Sequence, residues 1–319
     1  MKNKPVLLMI IASLGFSFNP VITKILTGEI SATGVLLLRF LFASLLFPII
    51  AITLGKHTIK SFFAIKPKQL LVFFLLSFLL VGNMLLFFNS FYYTTVNRAL
   101  FIFLMYPVVA MLMARIIVKE TITKNDMAAS FLSLIGVIAI FWGSDLGSKS
   151  LAGDVMVLFS MLIWCGFMIL NRFTALRDLH FRQTFWLFLF SFLLFVPSYL
   201  ILGLGQPISN ISLKGSFLIL VIVVFSTLIP YSLINYASNR IKTSTIGFLL
   251  LLGQVISIFL SFLILKENPD ANVIIGGLLV VFSAVMSIYS LERLFSFKEY
   301  LKAIKMHKSF KRILNIFRR

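Results

Sequence analysis

The chain has 319 residues, of which 60% are hydrophobic and 36 are Phe, and its mean hydropathy is +1.04. A soluble fold of this length cannot hide that much apolar surface, whereas a membrane bundle turns it toward lipid. The net charge of +19 lies in short loops and one C-terminal stretch, a distribution that excludes a nucleic-acid-binding face.

An α-helix needs about 20 apolar residues to cross the hydrocarbon core. Ten windows qualify, at 5–26, 33–54, 69–89, 95–118, 125–142, 152–171, 183–204, 214–238, 244–265 and 271–292. The expected fold is therefore an all-α integral membrane protein with ten transmembrane helices. Polar or turn-forming stretches such as Thr27-Gly28-Glu29, Gly55-Lys56-His57 and Glu267-Asn268-Pro269-Asp270 separate them. The first window follows Lys2 and Lys4 in the manner of a signal peptide, but its apolar run continues to Leu26, and it is read as a retained span.

The polar residues inside the spans are informative because each costs free energy at membrane depth. In span 1, Asn19-Pro20 is expected to break the helix and to act in gating, or else to be a tolerated kink. Arg39 lies about six residues into span 2, where an Arg costs on the order of 2.5–3.5 kcal/mol. It is a candidate for binding a substrate carboxylate or phosphate; the alternative is a structural Arg that satisfies freed carbonyls. Further candidate substrate contacts are Asn83 in span 3, Tyr106 beside Pro107 in span 4, Trp164 in span 6, Tyr231 and Asn235 in span 8, and Gln254 in span 9. Tyr231 and Asn235 are four apart and share a helix face. Interhelical hydrogen bonding or packing is the competing reading for each. Glu120 and Glu267 close spans 4 and 9 and are gating candidates. The competing reading pairs them with Lys119 and Lys266, or with basic groups on a neighbouring helix, to stabilise the structure.

The chain repeats itself. Val118-Lys119-Glu120 returns as Leu265-Lys266-Glu267 after 147 residues, Phe16 to Lys24 aligns with Trp164 to Arg172 at a shift of 148, and Pro48 with Pro197 at 149. Each copy holds five spans, and an odd number inverts the second copy. The implied domains are residues 1–147, residues 148–292 and a basic tail, 293–319. With the N-terminus inside, fourteen Lys and Arg fall in cytoplasmic loops and five outside, which places both termini in the cytoplasm of a multi-pass protein of the inner (cytoplasmic) membrane. The tail adds nine basic residues and one acid, Glu299. Its two apolar stripes, one from Leu294 to Ile304 and one from Phe310 to Phe317, are expected either to lie on anionic lipids or to form a solvated tail.

No metal or cofactor is expected. Cys165 is the sole cysteine, the three histidines lie in loops or the tail, and there is no nucleophile–base set, phosphate loop or dinucleotide fingerprint. Enzymatic function is accordingly not expected.

Phe16 to Lys24, Leu38-Arg39-Phe40-Leu41-Phe42-Ala43, Tyr106-Pro107 with Lys119-Glu120 and Gly136, and Lys266-Glu267 with Gly276-Gly277 together resemble the drug/metabolite transporter superfamily, EamA type. The resemblance covers nearly all of residues 1–292. Phe16 replaces the usual Trp of the first span, and Gln254 stands where the first copy has Pro107. The resemblance implies a secondary transporter that moves a small polar metabolite, such as an amino acid, a nucleotide derivative or an S-adenosylmethionine-like compound, by alternating access. The alternative class is a non-transporting membrane receptor or assembly protein, which predicts polar residues dispersed among separate interfaces. Oligomeric state and direction of transport are not encoded in these patterns.

Overall fold

The computed structural model describes residues 4–26, 28–53, 63, 65–90, 92–94, 96–140, 142, 151–174, 180–201, 211–238, 240–266 and 271–294. Glu267, the 147/148 repeat boundary and residues 295–319 of the tail lie outside them. The main described helices are α1 (Lys4–Leu26), α2 (Ala32–Thr53), α3 (Pro67–Ser90), α4 (Val96–Phe103), α5 (Tyr106–Met113), α6 (Lys124–Ile140), α7 (Leu151–Thr174), α8 (His180–Ile201), α9 (Leu213–Val223), α10 (Ile229–Ala237), α11 (Thr243–Leu265) and α12 (Ala271–Leu294). Two five-residue π-helical segments, Ala114–Val118 and Val224–Leu228, follow α5 and α9. Eight helical stretches are long and apolar enough to cross a membrane, and α12 contains a shorter apolar stretch, Ile274–Ser287. Large side chains such as Leu7, Ile49, Phe78 and Phe282 are exposed, as the outer surface of a helix bundle in lipid requires.

One expectation is corrected, and two spans show internal detail. Asn19-Pro20 does not break span 1, because α1 continues through Pro20. Span 4 is not one helix. It divides at Leu104–Met105, and Pro107 sits in the first turn of α5, where its missing N–H costs nothing. Span 8 runs without a break from Leu213 to Ala237 but passes through the second π segment, and Pro230 opens α10 directly after it.

Helix partners follow a paired pattern. α2 packs on α8 and α6 on α12; the α1–α11 contact is matched by α5–α7, and α3–α7 is matched by α1 against α10 and its π segment. The α6–α12 seam is closest at two glycines. A Cβ on Gly136 would meet the Gly276 carbonyl at 2.8 Å, and one on Gly276 would collide with the Gly136 carbonyl. Small residues bring backbones together where lipid offers no hydrophobic drive for helix association.

Lys119 and Lys266, the repeated lysines, are the only non-glycine residues with positive φ among the described residues, at 56° and 57°. Each ends its helix in the left-handed conformation and donates its N–H to the carbonyl five residues earlier, Ala114 and Ser261. Such a cap satisfies terminal carbonyls but costs a non-glycine residue about 1 kcal/mol.

Candidate functional site

Arg39 is 5% exposed and projects from α2 toward α1 and the π segment. Its Nη1 donates to Asn19 Oδ1 at 3.0 Å and its Nε to Thr227 Oγ1 at 3.0 Å; Nη2 approaches the Ser226 carbonyl at 3.5 Å. The local sequence explains these acceptors. Pro230 has no N–H to offer the Ser226 carbonyl four residues back. Thr227 Oγ1 donates to the Ile222 carbonyl at 3.0 Å, five residues back, and so turns its lone pairs toward Arg39. Ser226 Oγ donates to the Gly15 carbonyl at 2.7 Å, and Gly15 has no room for a side chain against the Phe225 carbonyl. α1 is thereby held against the π segment. Ser13 secures its other flank by donating to the Leu249 carbonyl of α11 at 2.6 Å.

Arg39 therefore connects the two halves of the chain, and every acceptor it uses is neutral. No carboxylate among the described residues pairs with it. Tyr231 stands one turn beyond Thr227, buried, with ring contacts to Phe16 at 5.4 Å and Phe188 at 5.1 Å. Asn235 lies one turn further and donates to Thr184 Oγ1 at 2.8 Å. Arg39, Asn19, Tyr231 and Asn235 thus line one continuous region.

Asn83, Tyr106 and Trp164 make their described contacts elsewhere. Asn83 and Ser160 hold α3 to α7: Asn83 Nδ2 donates to Ser160 Oγ at 2.8 Å and to its carbonyl at 2.9 Å, and Ser160 Oγ donates back to the Asn83 carbonyl at 3.0 Å. The Tyr106 hydroxyl donates to the Gly247 carbonyl at 2.9 Å, tying α5 to α11. Trp164 is half-buried and stacks on Phe167 at 5.3 Å. Gln254 is half-buried beside Gly253, which packs against the Ser13 carbonyl. Pro20 is exposed.

A second polar assembly occupies the end of the bundle where α5, α7 and α10 finish and α6, α8 and α11 begin. Glu120 is buried and pairs with Arg172 Nη1 at 2.7 Å, and its Oε1 also accepts from Thr243 Oγ1 at 2.9 Å and Thr243 N at 3.2 Å. It therefore balances a guanidinium and caps the positive end of α11 together. Lys242 Nζ pairs with buried Asp126 at 2.7 Å and donates to the Thr121 carbonyl at 2.9 Å. Asp126 accepts from Thr123 N at 2.8 Å, and Asp126 N donates to Thr123 Oγ1 at 3.2 Å, a reciprocal cap at the start of α6. Beside these pairs, Gln183 donates to Asn171, which donates to Ser238 Oγ at 2.9 Å. Sequence reasoning placed Glu120 at this end but missed Asp126, Asn171, Arg172, Gln183, Thr184 and Lys242. The signal was faint: Thr123-x-x-Asp126 is a helix-start pattern, and Arg172 is the repeat mate of Lys24.

At the opposite end, Glu29 accepts from Ser212 Oγ at 2.7 Å and Ser212 N at 2.8 Å, just before α9. These bonds, the side-chain one foremost, hold its carboxyl below the usual carboxylate range. Among the described residues no group of three or more His, Cys, Asp or Glu is placed to hold a metal.

A model of the EamA-like transporter family matches residues 3–142 and, a second time, residues 151–289. The chain belongs to the EamA-like transporter family. It is 24% identical over 209 residues to the uncharacterized transporter YdfC of Bacillus subtilis (strain 168), across 64% of this chain and 62% of that one. It is 25% identical over 171 residues to an uncharacterized transporter of Archaeoglobus fulgidus, across 52% and 58%. In both, the match spans under two thirds of the relative. The biotin transporter of Escherichia coli (strain K12) is 23% identical over 264 residues, across 82% of this chain and 84% of its own. A crystal structure superposes with a TM-score of 0.79 over 93% of this chain and all of its own length at 16% identity, a likeness of fold alone. This EamA-like protein is thus a multi-pass membrane protein of a transporter family.

Proposed function

We propose that this EamA-like protein is a secondary transporter that carries a small polar metabolite bearing a carboxylate or phosphate across the cytoplasmic membrane by alternating access. The observation that carries the reading is Arg39: a guanidinium buried between the two halves of the chain, with three neutral partners and no counter-ion among the described residues. A buried cation without an anion is a costly arrangement that an anionic ligand relieves.

The transport mechanism proposed is rocking of two inverted five-helix repeats, residues 1–147 and 148–292, with both termini in the cytoplasm. The paired helix contacts, the two matches to one family model and the two left-handed lysines support it. The Glu120–Arg172 and Asp126–Lys242 pairs then form the cytoplasmic gate, and Glu267 is the corresponding gating candidate outside. Biotin carries one carboxylate and is a rational first probe. The non-transporting alternative gains from the way Asn83 and Tyr106 are consumed in separate helix contacts, and it accounts for the Arg39 contact to the Ser226 carbonyl, but it gives no reason for a guanidinium where a neutral donor would serve.

The test is flux in proteoliposomes, with biotin, amino acids and phosphorylated metabolites first screened by thermal shift. Wild-type flux of an anionic solute that is lost in Arg39→Ala, with the variant still monodisperse, is expected. Unchanged kinetics in that variant would overturn the reading.

A further inference from the structure

Among the described residues, two buried oxygens near the far end of α10 have no hydrogen-bond partner: Asn235 Oδ1 and Gln183 Oε1. Asn235 is 1% exposed and Gln183 0%. Each amide is anchored through its nitrogen, Asn235 to Thr184 and Gln183 to Asn171, so that both present an acceptor at one turn of α8. Buried acceptors left unmade are costly, and native proteins nearly always satisfy them. Two of them within one polar cluster form a place for N–H donors.

This cluster and Arg39 lie on one line. Thr227, which holds Arg39, and Tyr231 and Asn235 are spaced by four residues along the same face, and all three are buried. Eight residues of helix rise about 12 Å. Between the two ends stands an aromatic wall, Tyr231 edge-on to Phe16 and Phe188. The sequence of chemistries is a cation, then aromatic rings, then unpaired acceptors. One guanidinium, whose described partners are all neutral, balances a single negative charge, which favours a carboxylate over a phosphate dianion.

We infer that Arg39 and the Gln183–Asn235 acceptors are the two ends of one binding site. Its ligand is an elongated monocarboxylate with an apolar middle and N–H donors, of the ureido or amide kind, at the end remote from the carboxylate. The inference rests on the transporter reading and sharpens its substrate class. Arg39 binds the carboxylate, the three rings enclose the chain, and Asn235 Oδ1 and Gln183 Oε1 accept from the far donors. A short α-amino acid, whose ammonium and carboxylate are adjacent, cannot reach both ends.

The experiment is a binding series on the purified full chain in detergent. The probes are ω-ureido carboxylates of increasing chain length, the matching unsubstituted fatty acids, and phenylalanine. Affinity is read by thermal shift and calorimetry. The ureido acids are expected to bind more tightly than the plain acids, with an optimum at one intermediate length. Asn235→Leu and Gln183→Leu should each remove about tenfold of that advantage and leave the plain acids unaffected. Arg39→Gln should weaken both series. Asn235→Ser, a smaller change, guards against a leucine variant that fails to fold. If plain and ureido acids bind alike at every length, or if the advantage survives in both leucine variants, the two-ended site is wrong while the anion-binding reading stands. If no carboxylate binds at all, the two-ended site is wrong, and if the phosphorylated metabolites of the first screen fail as well, both readings fall.

Discussion

Two groups of buried charge in this protein differ in one respect. At the end where α11 begins, two cations have their anions: Arg172 has Glu120 and Lys242 has Asp126, both at 2.7 Å. Between α1, α2 and the π segment that follows α9, Arg39 has only neutral oxygens as partners among the described residues. Paired charges are complete within the protein and hold helices together. A charge lacking its partner is incomplete without something from outside. The contrast sets residues that build the bundle against the one proposed here to recognise a ligand.

The sharpest way to break this contrast is to remove the lone charge. Arg39→Ala is expected to lower transport of an anionic solute by about a hundredfold, as loss of a buried charge-assisted contact does, with little loss of thermal stability. Arg39→Lys keeps the charge but loses the planar fork and should recover only part of the flux. If Arg39→Ala instead unfolds the protein and leaves flux per folded molecule intact, Arg39 belongs with the paired group.

The paired group should respond in the opposite sense. Arg172→Gln is expected to cost about 2 kcal/mol of stability, less than a fully buried pair would, because a quarter of the Arg172 side chain is exposed. A double-mutant cycle with Glu120→Gln should show coupling of about 1 kcal/mol or more in thermal unfolding. Additive effects would mean that the pair does not act as a unit. A purely steric control comes next: Gly276→Val, which collides with the Gly136 carbonyl, should cost about 1–3 kcal/mol without altering substrate preference.

The smallest effect concerns Glu29. Its carboxyl is held below the usual range by Ser212, so its stabilising contribution is present above the unfolded-state value and is lost as pH falls through the lowered folded value. The difference in melting temperature between wild type and Glu29→Gln should therefore be full at neutral pH and vanish in acid. A difference that persists in strong acid would show that it does not arise from ionisation.

Much of the frame was legible in the sequence because hydropathy and helix length are local properties. α1, α2, α7, α8, α11 and α12 fall close to the apolar windows. The Lys-Glu repeat was legible as a duplication, though not as a pair of left-handed caps, because nothing in the composition of Lys119 or Lys266 announces positive φ. Arg39 stood out because a guanidinium inside an apolar run is anomalous. What sequence missed was either backbone register or distant pairing. The π segment before Pro230 and the division of span 4 at Leu104–Met105 depend on packing against neighbours, and the loop-flanking residues Arg172 and Lys242 read as orientation signals until folding brings Glu120 and Asp126 to them. Asn83 and Tyr106 were legible as costly polar residues, but their partners are a serine hydroxyl and a backbone carbonyl, which no pattern reveals.

The glycine contact between α6 and α12 carries a mechanical consequence. Two backbones that already touch have no slack to approach, and parting them would open a void with nothing to fill it. Any displacement of one half of the chain against the other must leave that line where it is. Motion there reduces to turning about a fixed edge, so its amplitude grows with distance from the edge, and a methyl group added at Gly136 or Gly276 would act as grit in a hinge.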